Sequence, residues 1–147
     1  MDSPITISLA GTDAEIAACF DVMALLRPHL RREEFVARVR RLEAETGFRL
    51  AYLDTDGIKC VAGFRVSEWL AGGRYLEIED LVSAAEARSR GHGGMLFDWL
   101  VGRAEAAGCD HLRLVSRVTR TEAHAFYRRK GMEAEAYYFS MRIAHGS

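Results

Sequence analysis

Residues 88–94 are the part of this sequence whose residue types and spacing best fit a chemical role. They contain two arginines and three glycines, directly before an apolar, helix-like segment that begins at Met95. Backbone N–H groups at the start of a helix bind phosphate, and glycine allows a ligand to approach the main chain. The segment therefore predicts a phosphate-binding loop formed by Arg88, Ser89, Arg90, Gly91, His92, Gly93 and Gly94.

Other interpretations of this glycine-rich loop are weaker. A P-loop ends in Gly-Lys-Ser or Gly-Lys-Thr, and neither stands here. A dinucleotide fingerprint reads Gly-x-Gly-x-x-Gly, whereas Gly91-x-Gly93 is followed by Met95 and Leu96 without a third glycine. Taken alone, the loop could also be a solvent-exposed turn, with arginines that serve solubility.

Three carboxylates lie on the strand-like segment that precedes the loop, residues 75–82. A carboxylate can accept the proton of a reacting amine, often through a water molecule. Strand alternation predicts Glu77 and Glu79 on one face and Asp80 on the other. Each of these acids could instead attract a cationic substrate or pair with a neighbouring arginine.

The elements that must position these groups follow from the hydrophobic pattern. A capping box of Thr12 and Glu15 starts a helix that runs to Pro28. Further helices are predicted over residues 31–47, 93–107 and 121–130, and strands over residues 5–9, 48–53, 58–66, 75–82, 112–115 and 135–143. This order predicts one α/β domain, residues 1–147, with a single mixed, mostly antiparallel sheet flanked by helices.

Composition narrows the classes of function. The chain has 147 residues, a net charge of −1 and three widely spaced cysteines, which favours a cytoplasmic protein with reduced thiols. A net charge this close to zero argues against nucleic-acid binding, although several arginines lie between residues 113 and 129. The N-terminal sequence does not resemble a secretory signal, and no apolar run approaches the ~20 residues that span a bilayer.

A second motif, residues 120–132, gives the loop a context. Ala123, Phe126, Tyr127 and Gly131 match the pattern Asn-x-x-Ala-x-x-Phe-Tyr-x-x-x-Gly-Phe. Together with the upstream Arg-x-x-Gly-x-Gly, this order resembles the GCN5-related N-acetyltransferase (GNAT) family. The sequence departs from the family pattern where Ser89 replaces a common glycine and Arg120 replaces the asparagine.

The resemblance implies a GNAT-like, acyl-CoA N-acyltransferase fold and acetyl-CoA as co-substrate, with no metal. It places the pyrophosphate on residues 88–94 and the pantetheine arm against backbone groups of Leu81, Val82 and Ser83, one of whose N–H groups would polarise the thioester carbonyl. It gives Tyr127 the protonation of the leaving thiolate. By the same resemblance Glu79, with Glu77 next, is the base that takes the amine proton.

The implied function is acetyl transfer from acetyl-CoA to a primary amine, on a small molecule or a peptide, by direct transfer in a ternary complex. The alternative is a non-catalytic, acyl-CoA-binding regulatory module. In this fold the acceptor pocket is built from elements that correspond to residues 25–41 and residues from 133 onwards. Dimers are common in relatives, and the alternating strand predicted over residues 135–143 could add across a homodimer interface.

Overall fold

The computed structural model describes residues 3–146, in two compact units. Residues up to Leu114 form the first unit, and residues from Val115 form the second. The strands all lie in the first unit: β1 (Thr6–Leu9), β2 (Arg49–Asp54), β3 (Ile58–Trp69), β4 (Gly73–Ser83) and β5 (His111–Leu114). Its helices are α1 (Asp13–Ala18), α2 (Phe20–Leu26), α3 (Arg32–Thr46) and α4 (His92–Ala106), with a short 3-10 turn at Ala85–Ala87, and the second unit contains α5 (Thr121–Arg129).

The sheet follows the order of the chain, β1-β2-β3-β4-β5. The first three pairings are antiparallel, and only β4 and β5 are parallel. This arrangement confirms the mixed, mostly antiparallel sheet predicted from the sequence. The parallel pairing ends where Ile78 meets Leu114, yet β4 continues to Ser83. Within residues 3–146, the β5 side of β4 is therefore without a neighbouring strand from Glu79 onwards.

Helices cover both faces of the sheet. Val61 belongs to a buried cluster with residues of α1, α2 and α3, including Ile16, Met23 and Phe35. Phe64 lies three residues further along β3, hence on the opposite face, and its ring contacts Trp99 of α4 edge-on at 6.4 Å between centroids. The side chains of α1–α3 and of α4 thus pack on opposite faces of β3.

The helix starting at Thr12 begins as predicted but does not run unbroken to Pro28. The Thr12 hydroxyl accepts from the Glu15 N–H at 3.1 Å, and the Glu15 carboxylate accepts from the Thr12 N–H at 2.9 Å. These two bonds confirm the capping box. The helix is interrupted at the fully buried Cys19, which ends α1 and precedes α2.

The strand predicted over residues 135–143 is wrong. Residues 133–146 of the second unit contain neither helix nor strand. The side chains of Tyr137 and Phe139 are 88% and 89% exposed, so the alternating residues have no buried face. Alternation predicts a strand only where one face is covered and the backbone finds a hydrogen-bonding neighbour.

Candidate active site

An irregularity in β4 determines where the strand acids lie. Asp80 pairs with Gly63 and Ile78 pairs with Phe64, so that Glu79 is an extra residue in β4. Such a bulge reverses the alternation beyond it. Asp80 therefore shares a face of the sheet with Glu77, which pairs with Arg65, and the prediction that Asp80 lies on the face opposite Glu77 is wrong.

Gly63 leaves the space that the bulge uses. A Cβ atom on Gly63 would lie 2.6 Å from Phe48 Cζ and even closer to a carboxylate oxygen of Asp80. Carbon atoms at optimal separation lie ≈ 3.5–4.0 Å apart, so any larger residue would push one of these groups away. Because position 63 carries no side chain, the Asp80 carboxylate can lie directly over Gly63.

Arg27, at the end of α2, holds the bulge from the helix side. Its Nε donates to Asp80 Oδ1 at 2.8 Å, and its Nη2 donates to the backbone carbonyl of Glu79 at 2.9 Å. One guanidinium group thus binds both residues of the irregular segment. The role of Arg27 could not be predicted from the sequence, because partners 52 and 53 residues away leave no spacing pattern in a single sequence.

Two of the acids have pKa values displaced upward by burial. Burial raises the pKa of Glu79, and the charges of Asp80 and Glu77 raise it further, while Arg65 opposes the shift through a 2.7 Å ion pair. Burial likewise raises the pKa of Asp80, against the opposing effect of Arg27. These two side chains therefore keep a proton to higher pH than exposed carboxylates do.

Glu77 is engaged differently. Its carboxylate accepts from Arg113 Nε at 2.6 Å. The guanidinium carbon of Arg113 lies 4.3 Å from the ring centroid of Trp69 and 3.6 Å from that of Tyr75. Glu77 thus belongs to a packed cation–π cluster.

A cavity of about 360 Å³, here called the helix-side cavity, opens beside the bulge. Glu79 and Asp80 line it from β4, and Glu77 is not part of its lining. The remaining lining residues are Met23, Arg27, His29, Leu30, Phe35, Arg38, Val39, Leu42, Phe48 and Leu50. Most of them fall within residues 25–41, where the resemblance placed the acceptor pocket.

The phosphate-loop candidates surround the start of α4. Gly91 precedes the helix with φ +81°, and no atom lies within 4 Å of the place where its Cβ would be. A Cβ on Gly93 would lie 3.4 Å from Ser83 Oγ, so the end of β4 reaches the first turn of α4. The structure therefore brings Ser83 and Gly93 together, with Gly91 open to solvent at the start of the helix.

Two observations in this loop fit an anionic ligand. His92 Nδ1 is buried and has no hydrogen-bond partner within residues 3–146. The side chains of Arg88 and Arg90 are exposed and make no ion pair with the described part of the chain. A pyrophosphate group would supply acceptors for these donors and for the N–H groups of the first helical turn.

Tyr127 lies on α5 in the second unit and is half-buried. Burial raises the pKa of its phenol, with Arg120 acting in the opposite direction. The phenol is therefore protonated at neutral pH and can donate a proton. The match of Tyr127 to the closing motif remains the basis of its assignment.

Comparisons with known proteins give this geometry a family. The model of the Acetyltransferase (GNAT) family matches residues 16–132. The uncharacterized N-acetyltransferase YhdJ of Bacillus subtilis (strain 168) is 32% identical over 127 residues, which cover 85% of this chain and 89% of that protein. The chain therefore belongs to the GNAT acetyltransferase family, and its activity is acetyl-CoA-dependent acetyl transfer.

Solved structures show the same fold at lower identity. A transcriptional regulator from Bacillus halodurans C-125 has a TM-score of 0.83 and 22% identity, covering 95% of this chain and 100% of that one. The aminoglycoside N-acetyltransferase AAC(6')-Iy, solved in complex with CoA, has a TM-score of 0.84 and 14% identity, covering 97% of each chain. These matches confirm the GNAT-like fold predicted from the sequence.

Within residues 3–146, no three His, Cys, Asp or Glu side chains are grouped so that they could hold a metal ion. None of the helices there is long and apolar enough to cross a membrane.

Proposed function

We propose that this protein transfers the acetyl group of acetyl-CoA directly to a primary amine within a ternary complex. The observation that carries the proposal is the course of β4. Its unpaired edge leads from Glu79, in the helix-side cavity, to Ser83, beside the first turn of α4. A single strand thus connects a cavity for the acceptor with a loop for the phosphates of the cofactor.

The residues around α4 fit the diphosphate end of acetyl-CoA. Arg88 and Arg90 would add charge-assisted hydrogen bonds to those of the loop N–H groups, and His92 Nδ1 would gain the partner it lacks. The backbone groups of Leu81, Val82 and Ser83 lie along the unpaired stretch of β4 and would bind the pantetheine arm. Acetyl-CoA supplies the acetyl group, activated as a thioester.

Glu79 is the proposed base. It lines the cavity and, with its pKa raised by burial, binds a proton more readily than an exposed carboxylate does. Asp80 lies next to it and would help to attract the amine. Glu77, named beside Glu79 from the sequence, takes the lesser part, since it does not line the cavity.

Tyr127 is the proposed proton donor to the leaving thiolate. The resemblance of residues 120–132 to the closing motif of the family supports this role, and so does the raised pKa of the phenol. The variant Y127F removes only the hydroxyl group. We expect it to lower kcat while leaving the Kd for acetyl-CoA within about twofold, because the proposed cofactor contacts come from residues 81–83 and 88–94 and not from this hydroxyl group.

Calorimetric titration with acetyl-CoA, followed by turnover with a panel of primary amines, tests the proposal. The wild-type protein should bind saturably and release CoA thiol with at least one amine. The variant G91E should lose binding, because a glutamate would fill the space above Gly91 and repel the phosphates. The variant G102A, in the middle of α4 with nothing near its Cβ, serves as the control and should bind normally. Binding without turnover on any amine would contradict catalysis and favour a regulatory module.

A further inference from the structure

Two arginines and two carboxylates line the helix-side cavity, but they do not form two ion pairs with each other. Arg27 is paired with Asp80, and Glu79 is paired with Arg65. The exposed side chain of Arg38, on α3, also lines the cavity, yet it makes no ion pair or hydrogen bond with any other residue within 3–146. The carboxylates of the cavity thus have cationic partners, and one arginine is left over.

Most arginines of this stretch are paired. Six lie between residues 27 and 41, and four of them form ion pairs, whereas Arg38 and Arg41 form none within residues 3–146. Arg32 pairs with Asp21, and Arg40 pairs with both Asp13 and Glu43. Of these two unpaired guanidinium groups, that of Arg38 lines the cavity and that of Arg41 does not. The ring of His29, also in the lining, makes no hydrogen bond within residues 3–146.

The walls of the cavity differ in chemistry. The carboxylates come from β4, Arg38 comes from α3, and His29 comes from the connection between α2 and α3. Apolar side chains such as Phe35 and Leu42 form the remainder. A volume of about 360 Å³ lies within the ≈ 300–1,000 Å³ typical of small-molecule sites.

We propose that the acceptor is a small amine that also carries an anionic group, joined to the amine by an apolar body. Arg38 binds the anionic group, and the amine lies at Glu79 and Asp80. This inference rests on the proposed function of the cavity as the acceptor site. The shared chemistry is an anion that accepts from a guanidinium, either a carboxylate or a phosphate, and both are suited to its donor fork.

Ligand-observed NMR with the protein saturated with CoA tests this inference through binding alone. The probes are n-hexylamine, ε-aminocaproate and ω-aminohexyl phosphate, which share the amine and the chain and differ in the terminal group. We expect the wild-type protein to bind at least one anionic probe about tenfold more tightly than hexylamine. The preferred anionic probe distinguishes a carboxylate from a phosphate acceptor.

Two variants assign the preference to a residue. R38Q should remove the difference between the anionic probe and hexylamine, while R41Q, on the same helix but outside the cavity, should keep it. Circular dichroism and acetyl-CoA binding check that both variants are folded. Equal affinities for all probes, no binding of any of them, or a preference that survives R38Q would overturn the inference.

Acetylation of the same probes is followed separately. If acetyl-CoA binds and the anionic probe is preferred but not acetylated, the proposed catalysis fails while the anion site is supported. If hexylamine and the anionic probes are acetylated with equal kcat/KM, catalysis is supported and the anion site is overturned.

Discussion

Gly63 offers the sharpest test of how the bulge is held. In G63A the new methyl carbon would lie 2.6 and 2.7 Å from two ring carbons of Phe48, besides meeting the Asp80 carboxylate. Phe48 is buried and has little room to move, so the Asp80 side chain must yield and lose its 2.8 Å bond to Arg27. The substitution thus tests both the packing around Gly63 and the hydrogen bond from Arg27 to Asp80.

The expected cost follows from three contributions. Overpacking costs about 1–3 kcal/mol. Replacing glycine by alanine within a strand returns about 0.5–1 kcal/mol. Loss of the Arg27–Asp80 hydrogen bond adds about 1 kcal/mol, after discounting for the 41% exposure of the Arg27 side chain. The sum is a fall of about 2 kcal/mol in the free energy of unfolding, or a Tm lower by ~4–8 °C in a chain of this size.

Urea unfolding followed by circular dichroism measures this change, with G102A as the matched control. Position 102 has no atom within 4 Å of its Cβ site, so G102A should instead gain about 0.5–1 kcal/mol. In kinetics, G63A should raise the KM for the amine acceptor and leave the Kd for acetyl-CoA within about twofold, since the phosphate loop is unchanged. A G63A protein as stable as wild type with an unchanged acceptor KM would refute this account of the bulge.

Three further predictions concern other parts of the chain. Ser89 has φ +71°, a left-handed conformation that costs a non-glycine residue about 1–2 kcal/mol, so S89G should raise the free energy of unfolding by up to about 1 kcal/mol in urea titrations. The control S67G, in β3, should lower the free energy of unfolding. Equal losses of stability in both variants would contradict backbone strain at Ser89. If Glu79 must be ionised to act, its raised pKa implies that kcat/KM falls about tenfold per pH unit below that pKa, and that this fall begins at a higher pH than for an exposed glutamate. E79Q should lower kcat by about 10²-fold or more and remove the fall in kcat/KM at acidic pH. An unchanged pH profile in E79Q would exclude Glu79 as the base. Burial raises the pKa of Cys19 to about 12 and also raises that of Cys60, while Cys109 is partly exposed. Ellman's reagent should therefore titrate one thiol in the native protein and three in urea. Fast reaction of all three thiols in the native protein would contradict the burial of Cys19 and Cys60.

The sequence predicted features that depend on local chemistry. Thr12 and Glu15 predicted a helix start, and residues 88–94 predicted a loop before α4. Both predictions were possible because helix capping and close approach of a ligand to the backbone require particular residue types. The five strands of the first unit were predicted from alternation to within a few residues.

Features that depend on tertiary structure were not predicted. The bulge at Glu79 requires an empty position on the neighbouring strand, and nothing in the residues around Glu79 indicates that Gly63 lies opposite. The hydrogen bond from Arg27 to Asp80 and the position of Arg38 in the cavity lining depend on contacts between elements far apart in the chain. Residues 135–143 were predicted as a strand and are not one, because an alternating pattern does not by itself provide a neighbouring strand to pair with. The single-domain organisation, the cytoplasmic location and the homodimer stay predictions.

The continuity of β4 has a thermodynamic consequence. Hydrogen bonds made by the cofactor along the free edge of the strand would restrict the same backbone that presents Glu79 to the acceptor. If occupation of one end increases affinity at the other by some factor, occupation of the second end must increase affinity at the first by the same factor. The two substrates of this enzyme are therefore expected to bind with reciprocal cooperativity, with the peptide bonds of one strand as the link between them.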